Sequence, residues 1–243
     1  MYVRYVRYIS TQCITVNPYV TPVSGLSVVI LNYKRPYNLE YMIPILHEYK
    51  HIQEIVIMNG FEQNIIDFSY LSKVKQYPHD NKIGGGIRFF APCALDHILF
   101  LDDDHCPSES YVNMGLYMLE SDPTGLFGNT HRRCEKSYSL YKHFFTYANM
   151  VLTQCLFVHK QVLQSILPRL QTYIPLLTKT RGNGEDIIFN HIYRSLYRRL
   201  PVRILSNGHI ETLDENTHSY RGSNKHLTTR SEICKMLFKQ ENI

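Results

Sequence analysis

Short apolar runs alternating with helix-length amphipathic segments constrain this chain more than any other feature. The run "LSVVILNY" (26–33) is β-branched and follows Gly25, so it predicts a buried strand. Next, "RPYNLEYMIPILHEYK" places Leu39, Met42, Ile43 and Leu46 on one helical face. Pro36 suits the first turn of that helix, whereas Pro44 predicts a bend or break. "IQEIVIMNG" (52–60) predicts a second buried strand and "SKVKQYP" a short third one. "GGGIRFFAPCAL" predicts a flexible loop entering a helix. "DHILFLDDD" predicts the next strand, and "SESYVNMGLYMLES" a helix capped by Ser108 or Ser110. This order implies an α/β fold with a mostly parallel, Rossmann-like central sheet and helices on both faces. Ligands in such folds bind beyond the carboxyl ends of the strands.

Bulk properties narrow the function. Of 243 residues, 44% are hydrophobic and 19% charged, enough for a sizeable core and against disorder. A net charge of +5 suits a phosphate-bearing ligand but is too mild for a nucleic-acid binder. The short basic cluster Arg194, Arg198, Arg199 and Arg203 reads as a solvated helix face, with an anion site as the alternative. The start, "MYVRYVRYISTQC", lacks a continuous apolar stretch, and "LSVVIL" is too short to span a bilayer. The six cysteines include no C-x-x-C pair or zinc-like spacing, and no N-x-S/T acceptor occurs. The expectation is a soluble, cytoplasmic protein in a reducing compartment, with no integral membrane segment and no nucleic-acid partner.

Two acidic features carry the chemistry. Asp102, Asp103 and Asp104 crowd three carboxylates at a strand end, although like charges repel and are costly to dehydrate. They read either as a solvated turn or as a divalent-cation site built from oxygen ligands. In "TRGNGEDIIFN", Glu185 and Asp186 follow a Gly-rich loop in a helix's first turn, where the dipole alone favours acids. About 80 residues apart, each at the mouth of an element, the two read better as a pair. One would hold a metal and its phosphates, and the other would face the reacting carbon.

These residues resemble a known family. Tyr33, Arg35 and Leu39 in "NYKRPYNL", "IVIMNG", Asn81 through "GGGIRF", "DDD", "YANMVLTQCLFVHKQVL", "GEDIIFN" and "KHLTTRSEIC" occur in order over about residues 26–238. The pattern resembles a GT-A glycosyltransferase, and more closely the exostosin-like catalytic domain. The resemblance implies one GT-A domain over 26–238, with a donor half (26–105) and an acceptor half (106–238), after an irregular lead-in at 1–25. It implies transfer from a nucleotide-sugar, a UDP-sugar, to a glycan or other hydroxyl acceptor, with Mn²⁺ or Mg²⁺ and retention of configuration. Asp104 would bind the metal directly, and Asp102 would contact ribose or the metal and its water. Asp103 would meet the donor sugar. Arg35, Asn81, Arg88 and Arg230 would bind the donor, Arg230 at its diphosphate. His226 or His218 would complete the metal shell, and His159 would be structural or line the acceptor site.

By strand alternation Asp102 and Asp104 point to one side and Asp103 to the other, unless the chain turns there. Asp186 would stand at the reaction centre. It would be the base of an inverting enzyme or the charge-stabilising group of a retaining one. Glu185 would hold the acceptor or cap its helix. Two departures stand out. Gly184 replaces the family's cysteine, so its bridge to Cys234 cannot form, in keeping with a reducing compartment. Gln154 replaces a common glycine near the acceptor. A bacterial or large-virus enzyme would fit, the latter in the host cytoplasm. A sugar-phosphate nucleotidyltransferase and a non-catalytic sugar-binding protein on the same fold are the alternatives.

Overall fold

The computed structural model describes residues 13–15, 19, 21–33, 35–60, 65–139, 149–213 and 224–241. The chain begins with β1 (Cys13–Thr15), β2 (Leu26–Asn32), α1 (Pro36–Glu48), β3 (Ile52–Asn59) and β4 (Val74–Pro78). A 3₁₀ helix (Gly84–Phe90), β5 (His97–Asp102), β6 (His105–Pro107) and α2 (Glu109–Ser121) follow. Then come β7 (Leu126–Gly128), β8 (His131–Cys134), β9 (Tyr138–Ser139), β10 (Met150–Val151) and β11 (Cys155–His159). The chain continues through α3 (Lys160–Gln171), α4 (Ile174–Thr180), α5 (Glu185–Tyr197), β12 (Val202–Leu205), β13 (Ile210–Thr212) and α6 (Asn224–Glu241).

Eight strands form the central sheet in the order β1-β12-β7-β11-β5-β2-β3-β4. Every neighbouring pair is parallel except those made by β11, which runs antiparallel to both β5 and β7. The architecture is therefore the expected mixed α/β one, with a large, mostly parallel sheet and helices on its two faces. β2 is buried on both sides, so its sequence is apolar from Val28 to Leu31 rather than alternating. Val28, Ile30, Leu99 and Leu101 point to the face covered by α1 and α2. Val29, Ile98 and Phe100 point to the other, covered by α3, α4, α5 and α6. α1 buries Leu39, Met42, Ile43 and Leu46, a stripe worth about 1.5–3 kcal/mol per side chain in removed apolar surface.

Several local expectations need correction. Pro44 lies inside α1 without ending it. Both Pro44 and Glu40, whose carbonyl loses its amide partner, are exposed, so the carbonyl faces solvent rather than being buried unpaired. The glycine-rich stretch is a 3₁₀ helix leading into extended chain at Ala91, not a loop entering an α-helix. Cys13–Thr15 is not irregular, since it pairs in parallel with β12 at the sheet edge. Ser108 is the cap of α2, its hydroxyl accepting from the Tyr111 N–H.

The cysteine expectation also changes. Cys134 and Cys234 form a disulfide across a sequence separation of 100, with Cα atoms 5.3 Å apart. Gly184 does not bridge Cys234, as expected, but Cys234 has another partner, in β8. A free-thiol, reducing setting therefore loses its support from this position. Geometry explains why no side chain stands at 184: its φ is +98°, and a Cβ there would lie 2.5 Å from Ile233 of α6. Cys93, Cys106 and Cys155 are free and buried. Among the described residues no helix is long and apolar enough to cross a membrane.

The bridge gives the first prediction. Cys134→Ser should lower stability by about 2–5 kcal/mol, seen as a lower urea midpoint. Dithiothreitol should bring the wild type down to the variant, and midpoints insensitive to both changes would mean that the two thiols are not joined.

Candidate active site

β5 delivers the first acidic motif. Leu31 of β2 stands beside Asp102, so the strand's last residue lies at the carboxyl edge of the sheet. The Asp102 N–H donates to the Gln154 carbonyl at 3.0 Å, and the chain then turns through Asp103 and Asp104. Arg35, the residue before α1, meets both acids after the turn. Its Nη2 lies 2.6 Å from Asp103 Oδ1 and its Nη1 2.7 Å from Asp104 Oδ2. Asp103 and Asp104 thus share one guanidinium instead of pointing to opposite sides, because the strand's two-residue period stops at Asp102. The second Asp104 oxygen accepts from His105 Nδ1 at 2.5 Å.

Arg88, buried at 3% exposure, comes from the 3₁₀ helix. Its guanidinium donates to Asp102 Oδ1 at 2.6 Å, to the Thr153 carbonyl at 2.7 Å and to the Gly85 carbonyl at 3.1 Å. Thr153 in turn donates from its hydroxyl to Glu185 Oε1 at 3.3 Å. The two acidic motifs, far apart in sequence, are therefore joined through Asp102, Arg88, Thr153 and Glu185. Backbone contact makes this possible. Gly84 and Gly182 have φ of +49° and +79°, and a Cβ on either would meet the other segment's backbone within 2.7 Å.

Asp186 is buried in the first turn of α5. One oxygen accepts from the Ile187 N–H at 2.9 Å, and the other accepts from Arg230 of α6. The Arg230 guanidinium also lies over the Tyr138 ring, 4.3 Å from its centroid. Below Asp186, Asn190 donates to the Asp186 and Val151 carbonyls, both at 2.7 Å.

These environments pull the acids apart. Burial pushes Asp103 up to about 7 despite the Arg35 charge. Burial also acts on Asp104, but the His105 hydrogen bond and the Arg35 charge outweigh it and hold the carboxyl well below the usual range. Glu185 is pushed up to about 7, first by burial and then by the Asp186 charge. Burial disfavours the charged Arg230, but the facing Asp186 overcomes this and raises it further.

Other predicted residues fall elsewhere. Asn81 sits in the turn after β4 with φ +54°, its N–H donating to His79 Nδ1 at 3.0 Å. No described hydrogen bond joins it to either acidic motif. His226 lies in the first turn of α6, where its carbonyl accepts from Asn183 Nδ2 at 3.1 Å. Among the described residues no three His, Cys, Asp or Glu side chains group as a metal cage. His218 lies outside the described residues. His159 caps α3 and packs against His97 with ring centroids 5.3 Å apart, at the opposite end of β5 from Asp102. It is structural. In the basic cluster, Arg199 pairs with Asp122 at 2.6 Å and Arg203 donates to the Asn129 carbonyl, so these two serve the scaffold.

A family model described as the glycosyl transferase family 64 domain matches residues 26–241. The chain belongs to that family. No curated protein matches the chain in sequence. The match covers β2 through α6, and so every element that supplies the cleft of this glycosyltransferase.

Sequence reasoning passes over three residues of the cleft. His105 adjoins the acids but looks like a plain turn residue. Thr153 acts through its backbone carbonyl, which no residue type signals, and through a hydroxyl whose partner Glu185 lies 32 residues away. Tyr138 reaches Arg230 only by long-range folding. Of these, adjacency to "DDD" alone could have drawn attention, to His105.

Glu185 supplies the pH prediction. Its ordinary value is 4.5, and in the glycosyltransferase it stands at about 7. An acid held in its protonated form by the native state stabilises the fold below its ordinary value. That contribution is lost as pH rises through the folded value. Glu185→Gln should therefore match the wild type in melting temperature near about pH 4 and exceed it increasingly toward about pH 8. An offset that stays constant over this range would contradict the shift.

Proposed function

We propose that this glycosyltransferase is a metal-dependent, retaining enzyme of the exostosin-like type, moving a sugar from a UDP-sugar to a hydroxyl of a glycan acceptor. The observation that carries the reading is the junction of the two acidic motifs through Arg88, Thr153 and Glu185. It links Asp102, at the carboxyl end of β5, to Glu185 at the start of α5, which supports reading the first motif as the phosphate side and the second as the sugar side of one site.

The acidic cluster suits Mn²⁺ or Mg²⁺. Asp104 is kept ionised, and Asp102 is 28% exposed in its side chain with one oxygen engaged by Arg88. Two hard carboxylates without a full protein cage are what such an ion needs when substrate phosphates supply the remaining oxygens. The ion, when bound, supplies positive charge beside the diphosphate as it leaves. Asp104 and Asp102 would hold it. Asp103, its Oδ1 held by Arg35, would face the donor sugar. Arg35 and Arg88 fix the three acids and present guanidinium charge to the nucleotide.

Arg230 would bind the diphosphate from the other side. Asp186 has both oxygens engaged, by Arg230 and by the Ile187 N–H. A carboxylate held this way suits fixed negative charge facing positive charge developing on the sugar better than it suits taking a proton. That favours retention, with the leaving phosphate accepting the acceptor's proton on the same face. Glu185, beside Thr153, would orient the acceptor hydroxyl.

The test is turnover. With Mn²⁺ and a panel of UDP-sugars, the enzyme should release UDP and give a product of the donor's anomeric configuration by NMR. Asp104→Ala should weaken Mn²⁺-dependent donor binding by at least about 10-fold. Asp186→Ala should spare donor binding and lower kcat by about 10²–10³. Full transfer in either variant overturns that residue's role. Release of pyrophosphate from a nucleoside triphosphate and a sugar phosphate would instead identify a nucleotidyltransferase.

A further inference from the structure

Behind the acidic cluster lies a second layer of polar side chains that the reaction itself does not use. His105 is 5% exposed and Gln154 is 7% exposed. The Gln154 amide nitrogen lies 3.0 Å from His105 Nε2 and 2.9 Å from Thr130 Oγ1. His105 Nδ1 lies 2.5 Å from Asp104 Oδ1. The ionised Asp104 carboxylate can only accept, so Nδ1 must donate to it, and the Gln154 amide NH₂ facing Nε2 suits an imidazole that accepts there. Its proton then sits on Nδ1, directed at Asp104. The same residue acts a second time through its backbone, since the Gln154 carbonyl accepts from the Asp102 N–H at 3.0 Å.

We infer that Gln154 is a positioning residue that clamps both outer acids of the cluster, Asp102 through its carbonyl and Asp104 through His105. A glycine at 154 would keep the carbonyl contact and lose the side-chain one. The imidazole could then turn over or exchange its tautomer, and the Asp104 oxygen would lose its fixed donor. Arg35 grips only the other oxygen of Asp104. With both oxygens held, the carboxylate has one orientation in the cleft. With one held, it can rotate about its last bond. Outer partners of this kind typically set metal affinity by about 10–100-fold.

The consequence for metal affinity rests on the function proposed above, but the clamp itself does not, so the experiment reads both. Imidazole ¹⁵N spectra of the full chain should show His105 protonated at Nδ1 in the wild type, and mixed tautomers in Gln154→Leu. Titration of Mn²⁺ in the presence of UDP, followed calorimetrically, should show affinity about 10–100-fold weaker in Gln154→Leu and in His105→Ala. His105→Asn places an amide donor where Nδ1 stood and should recover much of the affinity lost in His105→Ala. Thermal melts of all variants separate positioning from folding. Affinity losses that track melting temperature, with no rescue by asparagine, overturn the proposal, as does an unchanged His105 spectrum in Gln154→Leu. If the wild type binds no Mn²⁺, the metal reading fails, and the tautomer change alone then decides for or against the clamp.

Discussion

A carboxylate taken out of water loses several kcal/mol of hydration unless a cation or hydrogen-bond donors replace it. Asp103, Asp104 and Asp186 are each 3–4% exposed. The fold supports them with arginines from two elements: Arg35 before α1 for Asp103 and Asp104, and Arg230 on α6 for Asp186. Arg88 on the 3₁₀ helix answers the partly exposed Asp102. The surrounding architecture follows from this matching. α1 must begin next to the end of β5, the 3₁₀ helix must lie against the loop before α5, and α6 must cross the mouth of α5. Shifting any one of these elements would strand a buried charge, which costs more than the pair is worth when intact.

Much of this was legible in the sequence. β2, β3, β4 and β5, α1, α2 and α5 stand where apolar periodicity put them, because each is set by local burial. Of the residues singled out there, Arg88 meets Asp102, Arg35 meets Asp103 and Asp104, and Arg230 meets Asp186. What the sequence concealed depended on distance along the chain. The disulfide partner of Cys234 lies 100 residues away, and nothing in the spacing singles out Cys134. The edge strand at Cys13–Thr15 is too short to show a period. The common orientation of Asp103 and Asp104 depends on where a turn begins, and a single residue decides it.

The disulfide and the cation–π contact sit on one patch. Cys234 follows Arg230 by one helical turn, and Cys134 precedes Tyr138 by four residues across the β8–β9 hairpin. The Tyr138 N–H also approaches the Ser231 hydroxyl at 3.3 Å. A covalent bond, a ring and a hydrogen bond thus fix the same short piece of α6 to the same hairpin. That is the segment which must hold a long, buried guanidinium against Asp186. Ile233, filling the space over Gly184, seats the helix from the remaining side.

The reversed strand has one more effect. Because β11 runs against its neighbours, its first residue, Cys155, pairs with Leu101 near the end of β5, and its last, His159, pairs with His97 at the beginning. A parallel strand in that slot would start at the far edge of the sheet and bring only its final residues to the ligand side. Here the two residues that lead into the strand, Thr153 and Gln154, form a turn on the ligand side, tied to the end of β5 by the Asp102 N–H donating to the Gln154 carbonyl. The inversion sets this turn directly beside the strand end that carries the acidic motif.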